Sequence, residues 1–539
     1  MKKIDRDLIN RPLQHVWNGA VVLTLAALIS KILSAGYRIP YHYIAGDIGF
    51  YIYQQIYPFY GLAVLFSTYG FPVIISKLVA EEISRGKKDA VDHIIKVSFL
   101  TLFLFNLLLF LLQYIGAERI AALMGDPKLA NLIRVVSFAF LLTPFIAVLR
   151  GCYQGLNDMV PTAVSQVAEQ IVRVATILIF SYLLLKNGYG VYEAGAGALF
   201  GSITGGFAAL AILLLFFLKN GGKLWRRKSM KKGRDYTKKI ISTLFVQGTL
   251  ACVSGMGILF IQFIDSFTLY SQLVEGGLDK EAAKTIKGIY DRGLPLIQLG
   301  TVVGTAFSLS LVPVISAAVL KKDECVLREK TELSIRLSFV IGAGAVLGLI
   351  GIMQSANILL YGDAAGTDML RIFCVTILFT TITATTAAIL QGMGHARASA
   401  LTMVIGMMVK WGLNIWLIPL WGTTGAAVSS VASFAFVAGI NGFYLYKELR
   451  FPVVRRKVLQ VTCKAGLTML LLLFVYTHTM HWMTPASSGR SLQTVWEALS
   501  SVVVGGIIYI WLILRNGLFT HQEVLNIPYG DKLSKWIKP

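Results

Sequence analysis

Long apolar runs recur from one end of this chain to the other, and they decide what it can fold into. A run of about 20 apolar residues, wound as an α-helix, crosses about 30 Å of hydrocarbon. No water satisfies the backbone there, so each run must close its own hydrogen bonds as a helix. Hydropathy marks about 14 such runs. They fall at approximately 16–43, 48–80, 92–115, 129–153, 162–186, 192–218, 240–268, 289–319, 332–354, 369–392, 398–419, 423–446, 459–483 and 493–514. Only 14% of the 539 residues are charged, against about 25% in a soluble chain, and mean hydropathy is +0.67. The expected fold class is therefore an all-α polytopic membrane protein.

The charges that remain are distributed unevenly. The net charge is +22, which in a soluble protein would suggest nucleic acid, but no nucleic-acid motif accompanies it. Instead the Lys and Arg gather between alternate apolar runs: before residue 16, at Arg85, Lys87 and Lys88, at 219–239, 321–330 and 447–457, and in the tail. These segments hold about 30 of the 50 basic residues and the opposite loops about 7, which places both termini on the inner side of a cytoplasmic-type membrane. The first run lacks a small-residue cleavage site after a short apolar core and reads as a retained helix. Cys152, Cys252, Cys325, Cys374 and Cys463 form no CxxC and read as packing residues, not as a disulfide framework.

The chain also resembles itself. Gln154-Gly155, Thr162-Ala163 and Arg173 are matched at one common offset by Gln391-Gly392, Ser399-Ala400 and Lys410. Gly70-Phe71-Pro72-Val73-Ile74-Ile75-Ser76 is echoed by Val312-Pro313-Val314-Ile315-Ser316. An even number of spans per repeat makes the repeats parallel. The expected organisation is a six-helix lobe at 1–218, a basic cytoplasmic linker at 219–239, a second six-helix lobe at 240–447, and two further helices with a cytoplasmic tail at 448–539. The linker is either a positive-inside anchor or a dock for anionic lipid head groups. Pro40, Pro72, Pro295 and Pro313 are candidate bend points.

Charged residues inside a span cost about 2.5–3.5 kcal/mol each on the insertion scale, so they normally face a cavity or a partner. The spans hold Lys31, Arg38, Glu169, Arg173, Asp265, Asp291, Arg292 and Lys410. Glu169 and Arg173 stand one turn apart, so they read either as a neutralising pair or as cavity groups. Arg38 and Asp265 can alternatively sit at the membrane interface, and Lys410 can snorkel. The balance is positive, which suits an anionic substrate, and arginine's planar fork suits phosphate. Gln54, Gln55, Gln166, Gln170, Gln262 and Asn414 can serve sugar hydroxyls, or bind helices to one another.

No GxSxG, HExxH, Walker loop or paired-carboxylate motif is present, so the chain does not read as an enzyme. His478 and His481 have metal-like spacing but no third ligand nearby in sequence, and neither metal nor cofactor is expected.

Arg150-Gly151-Cys152-Tyr153-Gln154-Gly155, with Met159, Pro161-Thr162-Ala163, Ser165-Gln166, Glu169-Gln170 and Arg173, resembles the signature of SpoVB-like polysaccharide exporters. Tyr290-Asp291-Arg292-Gly293 with Pro295, and Gly70-Phe71-Pro72 with Ser76-Lys77, fit the same group. These exporters belong to the multidrug/oligosaccharidyl-lipid/polysaccharide superfamily, together with MurJ-type lipid II flippases. The resemblance implies a MATE-like fold: two six-helix lobes around a V-shaped cavity, with two extra helices beside them. In MurJ-type members Ser30-Lys31 would match a basic position in the first span, with Arg38 one place beyond a second, and Asp291-Arg292 would match the entry to helix eight.

The expected function is translocation of an undecaprenyl-pyrophosphate-linked sugar from the inner to the outer leaflet of a bacterial cell membrane. Lys31, Arg38, Arg173, Arg292 and Lys410 would hold pyrophosphate. Gln54, Gln55, Gln166, Glu169, Gln170, Gln262 and Asn414 would line the sugar cavity. The membrane potential, or a monovalent cation at Asp265 or Asp291, would drive export. Membrane lipids and envelope-synthesis proteins are the expected partners. A cation-coupled drug exporter and a non-transporting scaffold of envelope synthesis are the alternatives, distinguished by transport itself and by the charge of what is moved.

Overall fold

The structure, a computed structural model, describes residues 22–86, 88–219, 233–450, 455–483, 492–521 and 523. Most of the basic linker, the start of the first run and the C-terminal tail lie outside them. The described residues fall into two compact units, within Met1–Gly288 and within Ile289–Pro539. They are helical nearly throughout and include no strand.

The first unit contains α1 (22–36), α2 (Arg38–Leu65), α3 (Phe71–Ser84), α4 (Lys88–Ile115), α5 (Ala117–Leu123), α6 (Ala130–Ser137), α7 (Ala139–Gly155), α8 (Val160–Lys186), α9 (Val191–Lys219), α10 (Arg234–Thr243), α11 (Thr249–Gly255), α12 (Gly257–Glu275) and most of α13 (Lys280–Asp291). The expected first lobe lies here. So do α10 to α12, with Phe263 of α12 packed 5.1 Å from Phe59 of α2. The second unit contains the end of α13, then α14 (Gly293–Leu320), α15 (Glu324–Tyr361), α16 (Thr367–Cys374), α17 (Thr376–Gly392), α18 (Ala396–Leu449), α19 (Arg456–Met483) and α20 (Leu492–Arg515).

Eleven helical segments among the described residues are long and apolar enough to cross a membrane. Two of them, Val22–Ser84 and Ala396–Leu449, are far longer than one crossing needs. Each is broken at a glycine with positive φ, Gly46 (φ 65°, ψ −174°) and Gly422 (φ 56°, ψ −133°). Only glycine adopts that backbone without a Cβ penalty. Both glycines fall in the gaps between neighbouring apolar runs.

The repeated Gln-Gly pairs do the same packing work in both units. A Cβ at Gly155 of α7 would stand 2.7 Å from Val79 Cβ and 2.9 Å from Ser76 O of α3. A Cβ at Gly392 of α17 would stand 2.8 Å from Ile315 Cβ and 3.0 Å from Val312 O of α14. In each unit the glycine lets a backbone press onto the proline-bearing helix, the way small residues close membrane helix interfaces. The last two helices dock on α15: Tyr509 of α20 donates to Val340 O at 2.7 Å, and Met469 and Leu473 of α19 join the same buried cluster.

Gly155→Ala is expected to cost about 1–3 kcal/mol through overpacking and to lower the thermal midpoint of the detergent-purified protein. Gly439 of α18 has open space around its missing Cβ, so Gly439→Ala is expected to leave the midpoint unchanged or raise it. Equal effects at the two sites would contradict the packing account.

Candidate functional site

Pro72 sets the first constraint on the site. It lacks an N–H and follows a π-helical turn, Phe66–Gly70, so a carbonyl in that turn loses its amide donor. Arg150 of α7, fully buried, supplies donors there: its Nη1 donates to Ser67 O at 3.5 Å and to Thr68 Oγ1 at 2.9 Å. Its Nε donates to Ser165 Oγ at 3.0 Å, and its Nη2 meets Glu169 Oε2 at 2.8 Å. One guanidinium therefore ties the turn before α3 to α7 and α8.

The second oxygen of Glu169 accepts from the Tyr60 hydroxyl at 3.3 Å, and that hydroxyl accepts from Arg173 Nη1 at 2.8 Å. The two charged residues of α8 thus do not pair directly. Tyr60 lies between them, and the carboxylate is committed to Arg150. α9 presses close onto this stretch of α8: a Cβ at Gly205 would stand 2.8 Å from Glu169 O, and one at Gly201 2.9 Å from Arg173 O.

Arg173 and Arg38 sit in a cage of tyrosines. The Arg38 guanidinium carbon lies 4.6 Å from the Tyr57 ring centroid, and that of Arg173 lies 4.9 Å from Tyr60 and 6.0 Å from Tyr37. The Tyr37 and Tyr53 hydroxyls share a 2.7 Å hydrogen bond, and the rings of Tyr41 and Tyr53 are 5.0 Å apart. Arg38 is 1% exposed and Arg173 3%. Among the described residues neither makes an ion pair, and Arg38 Nε and Nη1 and Arg173 Nε have no hydrogen-bond partner. Cation–π contacts are worth about 0.5–2 kcal/mol, whereas removing a charge from water costs several. Tyrosines alone therefore answer these two charges only in part.

The glutamines fall in the same unit. Among the described residues, both amide atoms of Gln54 lack a hydrogen-bond partner, as do Gln55 Oε1, Gln166 Oε1, Gln170 Nε2 and Gln262 Oε1. Gln55 Nε2 donates to Ser266 O at 2.7 Å, joining α2 to α12. Gln166, Gln170 and Arg173 follow one another at helical spacing along α8. Lys31 is half-buried on α1, and Asp265 is buried on α12.

In the second unit the cations are already engaged. Arg292, fully buried, makes a two-pronged pair with Asp363, Nη1 to Oδ1 at 2.7 Å and Nη2 to Oδ2 at 3.1 Å. Its guanidinium lies 5.2 Å from the Tyr361 ring, whose hydroxyl donates to Arg292 O at 2.9 Å. Lys410 Nζ donates to Ser430 Oγ at 2.8 Å, and Asn414 Oδ1 accepts from Ser429. These contacts join the two arms of α18 across the break at Gly422. Asp291 is buried at the end of α13.

Sequence reasoning did not select Arg150, the tyrosines or Asp363. Arg150 stands at the head of the quoted motif, and the need for a cation to answer Glu169 could have singled it out. The tyrosines of the second span, Tyr53, Tyr57 and Tyr60, recur every three to four residues, a stripe that hydropathy counts as apolar.

Comparison with known proteins agrees with this architecture. A family model described as polysaccharide biosynthesis protein matches residues 16–319. An uncharacterized membrane protein, YabM of Bacillus subtilis (strain 168), is 44% identical over 527 residues, 97% of each chain. Lipid II flippase MurJ of the same organism is 28% identical over 542 residues, 94% of this chain and 96% of its own. The solved inward-facing structure of a multidrug resistance MATE family transporter of the MOP superfamily superposes with a TM-score of 0.62 at 16% identity, covering 80% of this chain and 98% of the other. The fold is therefore MATE-like.

Tyr60→Phe removes the hydroxyl that separates Glu169 from Arg173. It is expected to cost about 1.5–3 kcal/mol, as for a hydrogen bond to a charged group, read as a lowered thermal midpoint. An unchanged midpoint would show that the hydroxyl does not carry this network.

Proposed function

Because the chain belongs to the polysaccharide biosynthesis protein family, we propose that it is a membrane flippase that moves a polyprenyl-pyrophosphate-linked sugar from the inner to the outer leaflet of a bacterial cell membrane. The observation that carries this reading is the pair of buried guanidiniums, Arg38 and Arg173, caged by tyrosines and, among the described residues, without a carboxylate partner. Such a site is completed by an anion with several oxygens. Pyrophosphate offers them in the geometry that guanidinium forks accept.

Arg38 and Arg173 bind the pyrophosphate, and Lys31 meets it on the way in. The unpartnered amides of Gln54, Gln166 and Gln170 bind sugar hydroxyls, and tyrosine rings pack on the sugar faces. The polyprenyl tail stays in lipid. Arg292 and Lys410 hold the second unit's helices and become ligands only if Asp363 and Ser430 release them. The lobes at 1–218 and 240–447, joined by the basic linker at 219–239, alternate access with both termini inside, and fourteen crossings complete the topology. With the inside negative, each negative charge carried outward gains about 2.3 kcal/mol per 100 mV, so the potential drives export. A cation at Asp265 or Asp291 is the alternative coupling.

In proteoliposomes containing an undecaprenyl-pyrophosphate disaccharide, wild type is expected to expose the lipid to an external reagent, faster under an imposed potential. Arg38→Gln and Arg173→Gln, inserted normally, are each expected to slow this about tenfold or more. Variants that flip as fast as wild type, or a wild type that moves only small cations, would exclude the reading.

A further inference from the structure

We infer that Arg150 is a positioning residue for the anion site: it holds the Glu169 carboxylate away from Arg173, so that Arg173 keeps its charge for the ligand. This rests on the reading of Arg38 and Arg173 as the pyrophosphate's partners.

Glu169 and Arg173 stand at i and i+4 on α8, with the acid nearer the N-terminus. That is the order and spacing at which an acid and a base on one helix pair best. Yet they do not pair. Glu169 Oε2 lies 2.8 Å from Arg150 Nη2, and Oε1 accepts from Tyr60. Arg150 is 0% exposed, and its donors go to Glu169, Ser165, Thr68 and Ser67. Four of its five N–H donors are engaged in this way and the side chain is fully buried, so its influence on the site is indirect. Arg150 and Glu169 cancel each other's charge, and the tyrosine cage keeps the two positive charges of Arg38 and Arg173.

Without Arg150 the carboxylate is buried with Arg173 one turn along its own helix. A buried carboxylate is stable only when paired. It would displace the Tyr60 hydroxyl and neutralise Arg173. The anion site would then lose half its charge although neither ligand-binding arginine had been changed. Removing the carboxylate as well would restore it.

The test uses full-length protein in nanodiscs, titrated with undecaprenyl pyrophosphate and, as uncharged control, undecaprenol, with thermal midpoints recorded alongside. Arg150→Gln is expected to weaken pyrophosphate binding about tenfold or more, with undecaprenol binding little changed. The double variant Arg150→Gln/Glu169→Gln, which replaces the ion pair by two amides, is expected to return to within about threefold of wild type. Glu169→Gln alone is expected to stay within the same range. A merely structural role would move midpoint and binding together and would not be rescued by a second substitution. Arg150→Gln binding like wild type overturns the inference. So does a double variant that melts like wild type yet binds weakly, and this comparison decides the matter even where Arg150→Gln alone fails to assemble. A wild type that does not bind the pyrophosphate overturns the proposed function itself, and the inference with it.

Discussion

A guanidinium buried in a membrane protein needs something to answer its charge, and the organisation of the first unit follows from how three arginines are answered. Arg150 takes the Glu169 carboxylate, together with the donor-poor turn that Pro72 creates. That choice links α7, α8 and the turn before α3 through one side chain. It also leaves Arg173 and Arg38 to tyrosine hydroxyls and ring faces, which stabilise a cation only in part. Ion pairs of this kind add little net stability compared with apolar packing, but breaking one is costly. The arrangement is better understood as fixing where charge is satisfied and where it is held in reserve.

The second unit starts from the same repeat and ends differently. Lys410 stands where the repeat places Arg173, yet it donates to Ser430 on the far arm of its own bent helix. Arg292 has a carboxylate of its own in Asp363, held in a two-pronged pair. The glycine contacts of α7 on α3 and of α17 on α14 are alike, so the scaffold is repeated while the polar groups have diverged. Among the described residues, Arg38 and Arg173 make no ion pair and are held by tyrosines instead.

Much of this was legible in the sequence, for identifiable reasons. Apolar runs mark helices because the bilayer leaves the backbone no alternative, and the breaks at Gly46 and Gly422 fall where those runs lapse. The repeated Gln-Gly pairs were visible as a repeat, whereas their packing against the proline-bearing helices needed the structure. The pairing of Glu169 was not legible. Helical spacing suggests partners on the same helix, and it names Arg173; the actual partner comes from another helix, which spacing cannot show. The tyrosine cage was hidden for a different reason, since hydropathy treats Tyr57 and Tyr60 as part of an apolar span although the Tyr57 ring and the Tyr60 ring and hydroxyl receive the arginines. Asp363 follows directly on Gly362, which caps α15 in a left-handed conformation, and nothing in its sequence position pointed to Arg292.

The measurement that bears most directly on this account is a cryo-electron-microscopy structure of the protein in a nanodisc with bound undecaprenyl pyrophosphate. Phosphate density is expected between the guanidiniums of Arg38 and Arg173, within hydrogen-bonding distance of both, with the Arg150–Glu169 pair intact. Phosphate density on Arg292 or Lys410, with Asp363 or Ser430 displaced and the tyrosine cage unchanged, would contradict it.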